Sequence, residues 1–128
     1  MNIIQAQDTF HISKPNGADV YYYLFKDYEV HYNEQQPHTI QDWHHHEKIW
    51  ETIFIIDGWL TIHWREDTQE KMQCLRTGDL VETGHTPHTL SNHTDDVAKF
   101  LVIKRMPSDE DYREIFKNDK VLDYINSP

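Results

Sequence analysis

The chain has 128 residues, with 12 Lys and Arg against 22 Asp and Glu and a formal net charge of -10. That length suits a single domain with one modest core. The scattered basic residues and the acidic balance exclude binding to a nucleic-acid backbone, which requires clustered Lys and Arg. No run approaches the roughly 18 apolar residues that cross a bilayer. Cys74 is the only cysteine, which excludes an intramolecular disulfide, and the polar start lacks an apolar signal core, so we expect a cytoplasmic protein.

The first third of the chain predicts a strand or arm, a turn and then further strands. Pro15 to Gly17 form a turn signal. The aromatic and β-branched run from Val20 to Phe25 predicts a strand. Residues Glu29 to Tyr32 are a possible second strand, and Asn33 to Pro37 are expected to form a loop because Pro37 interrupts a strand ladder.

The middle of the chain reads as a series of short strands separated by turns. Thr52 to Ile56 is apolar at successive positions, which predicts a strand covered on both faces. Asp57-Gly58 is a tight-turn signal, with Trp59 to Arg65 as the return strand and Glu66 to Lys71 as a solvated tip. Further strands are predicted at Met72–Leu75, Leu80–Glu82 and Ala98–Lys104. Roughly six to nine short strands indicate an all-β sandwich or barrel.

The C-terminal tail has a different period. Ser108 is a suitable N-cap, and acidic residues follow it in the first turn, so a helix is predicted over about residues 108–118. Val121, Leu122 and Ile125 are predicted to form a further turn that packs on the barrel or on a neighbouring subunit. We therefore expect one domain over residues 1–128, with a barrel core over about residues 18–105 and this short helix.

Three consecutive histidines precede the apolar middle strand. In a strand alternate side chains share a face, so His44 and His46 can project together while His45 points away. Glu51 has the opposite parity, and it can join them only if Glu47 to Trp50 form a turn or bulge. Glu47 is the alternative carboxylate.

His88, at the start of a later segment, can add a third imidazole. A set of three imidazoles and one carboxylate suits a divalent transition metal, namely Fe, Mn, Ni, Co, Cu or Zn. It suits Ca or Mg poorly, because hard cations prefer oxygen ligands. The alternative for each of these histidines is a structural or solvated side chain.

These residues resemble the two conserved motifs of the cupins. The first is HxH, four residues, Glu51, six residues and Gly58, and the second is approximated by Gly78, Pro87-His88, three residues and Asn92. The resemblance implies a jelly-roll β-barrel over most of the chain. It also implies the following metal ligands: His44, His46, Glu51 and His88. The chain departs from the motifs at His38, where glycine is usual, and near the second motif's proline and glycine, so these loops are expected to differ in shape.

Other residues have predicted roles that depend on their surroundings. His85 and His63 are candidate acid or base groups, since the pKa of histidine lies near neutrality, although either can be structural. Cys74 is expected to pack as a small apolar residue. Asn92 is expected to stabilise its turn through side-chain hydrogen bonds. Aromatic residues are expected mainly in the core or an interface, with two or three at the cavity: Tyr21, Tyr23, Phe25, Trp43, Trp50, Trp59 and Trp64.

Three functions fit these predictions. The first is a metal-dependent enzyme, a dioxygenase or isomerase, with an oxygenase on a small aromatic or enediol-like substrate as the favoured form. The second is a cupin that binds a small ligand without turnover, and the third is a metal-free sugar isomerase or epimerase. Fold does not choose among them. The apolar run from Thr52 to Ile56 and exposed sheet edges predict a homodimer, and no nucleic-acid or membrane partner is expected.

Overall fold

The computed structural model describes residues 1–106 and 113–123. These residues form twelve β-strands, one short α-helix and a 3₁₀ turn at Ala6–Asp8. The strands are β1 (Phe10–Ser13), β2 (Ala18–Leu24), β3 (Tyr28–Gln35), β4 (Thr39–Ile40), β5 (His44–His46), β6 (Trp50–Asp57), β7 (Trp59–Glu66), β8 (Gln69–Arg76), β9 (Leu80–Glu82), β10 (His88–Asn92), β11 (Ala98–Arg105) and β12 (Lys120–Leu122). The helix α1 spans Arg113–Asn118, between β11 and β12.

The strands form two antiparallel sheets. The first has the order β1-β2-β3-β11-β6-β9, and the second has the order β12-β5-β10-β7-β8, with β4 paired to β10. Apolar side chains from both sheets form one buried cluster, which includes Ile55 and Phe100 of the first sheet and Leu60 and Leu90 of the second. The all-β jelly-roll prediction with a short C-terminal helix is therefore confirmed.

The central strand β6 corrects two predictions. Ile53 and Ile55 are buried, but Phe54 and Ile56 are each 37% exposed, so only one face of this strand is covered within the chain. The predicted hairpin at Asp57-Gly58 is also wrong, because β6 pairs with β11 and β9 whereas β7 pairs with β10 and β8. The turn instead carries the chain from one sheet to the other.

Strand β3 is longer than predicted and has polar residues on its inner face. It continues to Gln35, so the predicted loop begins too early. Alternate residues Glu29, His31, Asn33 and Gln35 are buried. Gln35 Nε2 donates to the carbonyls of Thr39 and Leu90, each at 3.1 Å. Polar residues in this segment predicted a loop. In the structure their side chains lie inside the fold, where they contact polar groups or line a cavity.

The tail agrees with the prediction only in part. Helix α1 ends at Asn118, and Phe116 is 3% exposed, whereas the predicted cap at Ser108 lies outside the described residues. Val121 and Leu122 are in the strand β12 that pairs with β5, so the predicted turn is wrong for these two, and Ile125 lies outside the described residues. No helix in the described ranges is long and apolar enough to cross a membrane.

Two single-residue predictions have opposite outcomes. Cys74 is exposed, because β8 is the edge strand of its sheet and only Leu75 on it is buried. Asn92 is fully buried and stabilises its turn as predicted. Its Nδ2 donates to the carbonyls of Gln35 at 3.1 Å and Asp96 at 2.8 Å, and its Oδ1 accepts from the backbone N–H of Thr94 at 2.9 Å.

Candidate metal centre

Three of the four predicted ligands come from two neighbouring strands. His44 of β5 lies directly opposite His88 of β10, and their ring centroids are 4.6 Å apart. His46 follows on the same face of β5, with its centroid 5.3 Å from that of His44. His45 points away, as predicted, and its Nδ1 lies 2.7 Å from Asp123 Oδ2. Strand alternation and the β5–β10 register therefore bring the three rings together.

Glu51 reaches this group from β6 of the other sheet. Its carboxylate is buried, with Oε2 2.7 Å from His46 Nε2 and Oε1 3.3 Å from His88 Nε2. The ligand atoms of His44, His46 and Glu51 lie within 4.8 Å of one another. The structure thus brings all four predicted ligands to one point between the two sheets.

The change of direction between β5 and β6 depends on a distant residue. The backbone N–H groups of Glu47, Lys48 and Ile49 all donate to Asp119 Oδ2, each at 3.1 Å. Burial opposes ionisation of Asp119, but these backbone donors and nearby His46 outweigh it and lower the pKa of the carboxyl group. Glu51 can share a face with His44 and His46 only if the chain bends before it. The Asp119 carboxylate, which follows α1 in sequence, therefore holds the bend that brings Glu51 to the histidines.

Second-sphere hydrogen bonds fix two of the ring tautomers. His44 Nδ1 lies 3.0 Å from the Asp42 carbonyl, and His88 Nδ1 lies 2.8 Å from the Thr86 carbonyl. A carbonyl oxygen only accepts, so each Nδ1 donates its proton to the carbonyl, and the Nε2 atom of each ring is left for the cluster. This is the arrangement of metal-ligating histidines.

Several atoms in the cluster lack hydrogen-bond partners. His46 is 1% exposed, yet neither of its ring nitrogens forms a hydrogen bond with a described residue, and the same is true of Glu51 Oε2. The 2.7 Å approach of Glu51 to His46 is an ion-pair distance without hydrogen-bond angles. Buried polar atoms without partners cost about 1–3 kcal/mol each. A cation held by Glu51 Oε2 and one ring nitrogen of His46 removes that cost for two of the three atoms, so the residues fit a metal.

The protonation states also suit a metal. Burial, and then the nearby His88, lower the pKa of His44 to about 3, so its ring is neutral near pH 7. Burial opposes ionisation of Glu51, but His46, His88 and Lys104 outweigh it and hold the pKa of that carboxyl well below its ordinary value. Neutral imidazoles and an ionised carboxylate are the forms that bind transition metals.

A cavity of about 570 Å³ lies beside the cluster. His44, Glu51 and His88 lie in its wall. The rest of the wall is apolar, polar or basic except for Glu29, and its residues include Phe10, Ile12, Lys14, Val20, Tyr22, Leu24, Glu29, His31, Leu90, Val102, Lys104, Arg113, Phe116, Lys117 and Lys120. This volume is within the range of small-molecule sites.

The comparisons with known proteins agree with this fold. The family model of the cupin domain matches residues 31–104. The chain belongs to the cupin family. The cupin matches the solved oxalate decarboxylase–formate complex of Lactobacillus farciminis at 17% identity, with a TM-score of 0.69, over 82% of this chain and 33% of that chain. It thus spans about a third of that protein.

Two other solved structures are similar over more of their own length. A sugar phosphate isomerase of the cupin superfamily from Silicibacter pomeroyi shares 16% identity with a TM-score of 0.67, covering 81% of this chain and 75% of that one. Drosophila melanogaster CENP-C, solved bound to CAL1, shares 18% identity with a TM-score of 0.70, covering 80% of each chain. A comparison with curated proteins found no match. At these identities, the solved structures show the fold alone.

The cavity of this cupin contains a second pair of buried titratable groups. His31 Nε2 lies 2.8 Å from Glu29 Oε1, and both residues are on the inner face of β3. Burial is the largest influence on His31 and lowers its pKa despite the carboxylate. The strand register places Glu29 opposite Lys104 of β11, which is in turn opposite Glu51 of β6. Glu29 and Glu51 therefore lie on the two strands that flank β11, and both line the cavity.

The predicted acid or base candidates lie elsewhere. His85 is exposed and lies against Trp50, with ring centroids 5.4 Å apart. His63 is buried on β7, where its Nε2 lies 2.8 Å from Ser91 Oγ. Neither residue is in the cavity wall. Their catalytic roles stay predictions, and Glu47, the alternative carboxylate, is exposed.

The cavity aromatics differ from the expected ones. Phe10, Tyr22 and Phe116 line the cavity, whereas the seven aromatics named from the sequence do not. Sequence reasoning also missed Asp119 and His31. The alternating polar residues of β3 were an available signal for His31, but no local pattern points from the tail to the bend before β6.

The loop before β4 contains one of the departures from the cupin motif. His38 takes φ of +58°, in the left-handed region that glycine adopts without strain. Its Nε2 lies 2.7 Å from Asp95 Oδ1. The backbone at this position therefore has a glycine-like conformation although the residue is histidine.

Proposed function

We propose that this cupin is a metal-dependent enzyme that converts a small organic molecule bound in the cavity beside the metal centre. The observation that carries the proposal is the convergence of His44, His46, Glu51 and His88, in which buried atoms of His46 and Glu51 have no hydrogen-bond partner among the described residues. A divalent transition ion held there supplies a Lewis acid or redox centre, with one or two coordination positions left for substrate.

The His31–Glu29 pair supports turnover rather than binding alone. Because Glu29 accepts from the Nε2–H of His31, the Nδ1 of the neutral ring is left as an acceptor. The carboxylate orients the ring and stabilises it once it has gained a proton. We propose that His31 takes a proton from the substrate in the cavity.

Oxygenation is the reaction class that we place first. Phe10, Tyr22 and Phe116 give the cavity an aromatic part, which suits an apolar substrate body and limits water near the ligands. The fold leaves the choice open, since the solved relatives include both an oxalate decarboxylase and a sugar phosphate isomerase.

The proposal is tested by oxygen uptake and product analysis with protein loaded separately with each candidate metal. The substrate panel contains diketones, flavonoids and thiols. We expect uptake with at least one metal, and a His31→Gln variant is expected to lose about 100-fold or more in rate while keeping its metal. The matched control is His38→Asn, an exposed histidine that we expect to keep full rate. Tight binding of a panel compound without uptake or product contradicts the proposal and favours a non-catalytic binding protein.

A further inference from the structure

The charge balance of the cavity is opposite to that of the chain. Acidic residues outnumber basic ones by 22 to 12 in the whole sequence. Among the described residues of the cavity wall, five are basic and only Glu29 and Glu51 are acidic. Glu29 is engaged by His31, and Glu51 by the metal-ligand cluster. Basic residues therefore outnumber acidic ones in this wall.

Three of the basic residues form no ion pair within the described ranges. Lys14 follows β1, Lys104 is on β11 and Lys120 is on β12. The lysine ion pair that forms within the described residues is that of Lys71 with Glu66, at 2.7 Å, at the hairpin between β7 and β8. The side chains of the three cavity lysines form neither a hydrogen bond nor an ion pair there.

The three ammonium groups also lie near one another. Lys14, Lys104 and Lys120 line the same cavity. The positive charges of Lys14 and Lys104 both repel that of Lys120. Three like charges gathered in one cavity destabilise the free protein, and an anion among them relieves the repulsion.

Another part of the wall is apolar and accessible. Phe10, Ile12 and Leu24 line the cavity and are 62%, 37% and 43% exposed. Exposed apolar side chains that rim a cavity beside charged groups match a ligand with an apolar body and a charged end.

We propose that the cavity binds a small organic anion, with its carboxylate or phosphate group among Lys14, Lys104 and Lys120 and its apolar body against the wall formed by Phe10, Ile12 and Leu24. Lys104 sits opposite Glu51 in the strand register, so the charged group lies next to the candidate metal centre. This names the substrate class of the proposed enzyme, and it rests on the proposal that the same cavity holds the substrate.

Binding of three matched probes tests the inference. Benzoate, phenyl phosphate and the neutral benzamide are titrated calorimetrically into the full-length protein as purified, at low and high salt. We expect at least one anion to bind about tenfold or more tightly than benzamide, and its affinity to fall with salt. Whichever anion binds more tightly identifies the preferred charged group. Equal affinity for benzamide, or no binding of either anion, overturns the inference.

Two lysine variants on one strand separate the cavity from general surface charge. Lys104→Met keeps the aliphatic stem and removes the charge, and it is expected to weaken anion binding about tenfold or more. Lys99→Met is the control, because Lys99 is on β11 but not in the cavity wall. Equal effects of the two substitutions overturn the inference.

Metal content measured on the same samples separates this inference from the proposed enzyme. Metal at full stoichiometry without anion preference contradicts only the substrate class. Anion preference that Lys104→Met abolishes, in protein that never retains metal, contradicts only the metal-dependent function.

Discussion

One carboxylate oxygen of Asp119 accepts three consecutive backbone N–H groups in the bend that leads to Glu51. We predict that Asp119→Asn lowers the free energy of unfolding by about 1–2 kcal/mol, because the neutral amide is a weaker acceptor. Metal affinity is predicted to fall about 10-fold or more, since the bend positions Glu51 and Asp119 lies near His46. Urea denaturation and chelator competition measure the two effects. Asp123→Asn, which changes the partner of the outward His45, is the control, and an equal loss of metal affinity there would contradict the account.

The low pKa of His44 predicts a pH-dependent stability. Its folded-state pKa is about 3, below the ordinary value of about 6.5. Between these values the unfolded chain binds the proton and the folded chain does not, so stability is highest above about pH 6.5 and falls as pH decreases. One such group lowers the free energy of unfolding by about 2 kcal/mol between about pH 7 and about pH 5.

Urea denaturation of chelator-treated protein at those two pH values measures this effect. His44→Gln removes the titrating group, so we expect a smaller difference between the two pH values for this variant. Identical pH dependence in the two proteins would assign the effect to other groups.

At the level of single residues, the sequence predicts the contacts that depend on neighbouring positions in the chain. Strand alternation predicts that His44 and His46 share a face, and the structure agrees. Strand alternation alone predicts that Glu51 points to the face opposite His44 and His46. The resemblance to the cupin motif was needed to select it as a ligand. Asp119 was not predictable, because its contact with the bend spans about seventy residues and its neighbours in sequence contain no ligand motif.

At the level of elements, the turn between β6 and β7 requires glycine at position 58, and replacing it should lower the free energy of unfolding. It has φ of +99°, and an added Cβ would lie 3.2 Å from Ala98 Cα. Gly78 has φ of +93° with nothing within 4 Å of an added Cβ. Gly78→Ala should therefore cost about 1–2 kcal/mol for the backbone conformation alone, and Gly58→Ala should cost more because β11 is close. Chemical denaturation of both variants checks the order, and a larger loss for Gly78→Ala would contradict the packing at Gly58.

The residue types predict where most strands lie, but they do not predict which strands pair with one another. Asp57-Gly58 is a tight-turn signal whether the next strand returns beside β6 or crosses to the other sheet. The partners of β6 are β11 and β9, which lie more than twenty residues away in sequence. Strand existence depends on local residue types, whereas sheet order depends on contacts that no short segment encodes.

At the level of the molecule, the outer face of the first sheet carries exposed apolar residues. Phe54 and Leu80 are cross-strand neighbours on β6 and β9, 37% and 57% exposed, and Ile56 adds to them. We propose that a second copy of the chain covers this face as a homodimer. Light scattering after size exclusion is expected to give a dimer for the natural sequence and a monomer for Phe54→Lys. Met72→Lys, an exposed position on β8 of the other sheet, should stay dimeric, and a monomeric natural sequence would contradict the proposal.

Elemental analysis of protein purified without a tag or added metal tests the central claim most directly. We predict about one divalent transition metal ion per chain, and its loss in His46→Ala and His88→Ala, because each variant removes an imidazole from the ligand set. His45→Ala is the matched control on the same strand, and its outward ring should leave the metal in place. Absence of stoichiometric metal, or full retention of metal in the His46 and His88 variants, would contradict the metal centre.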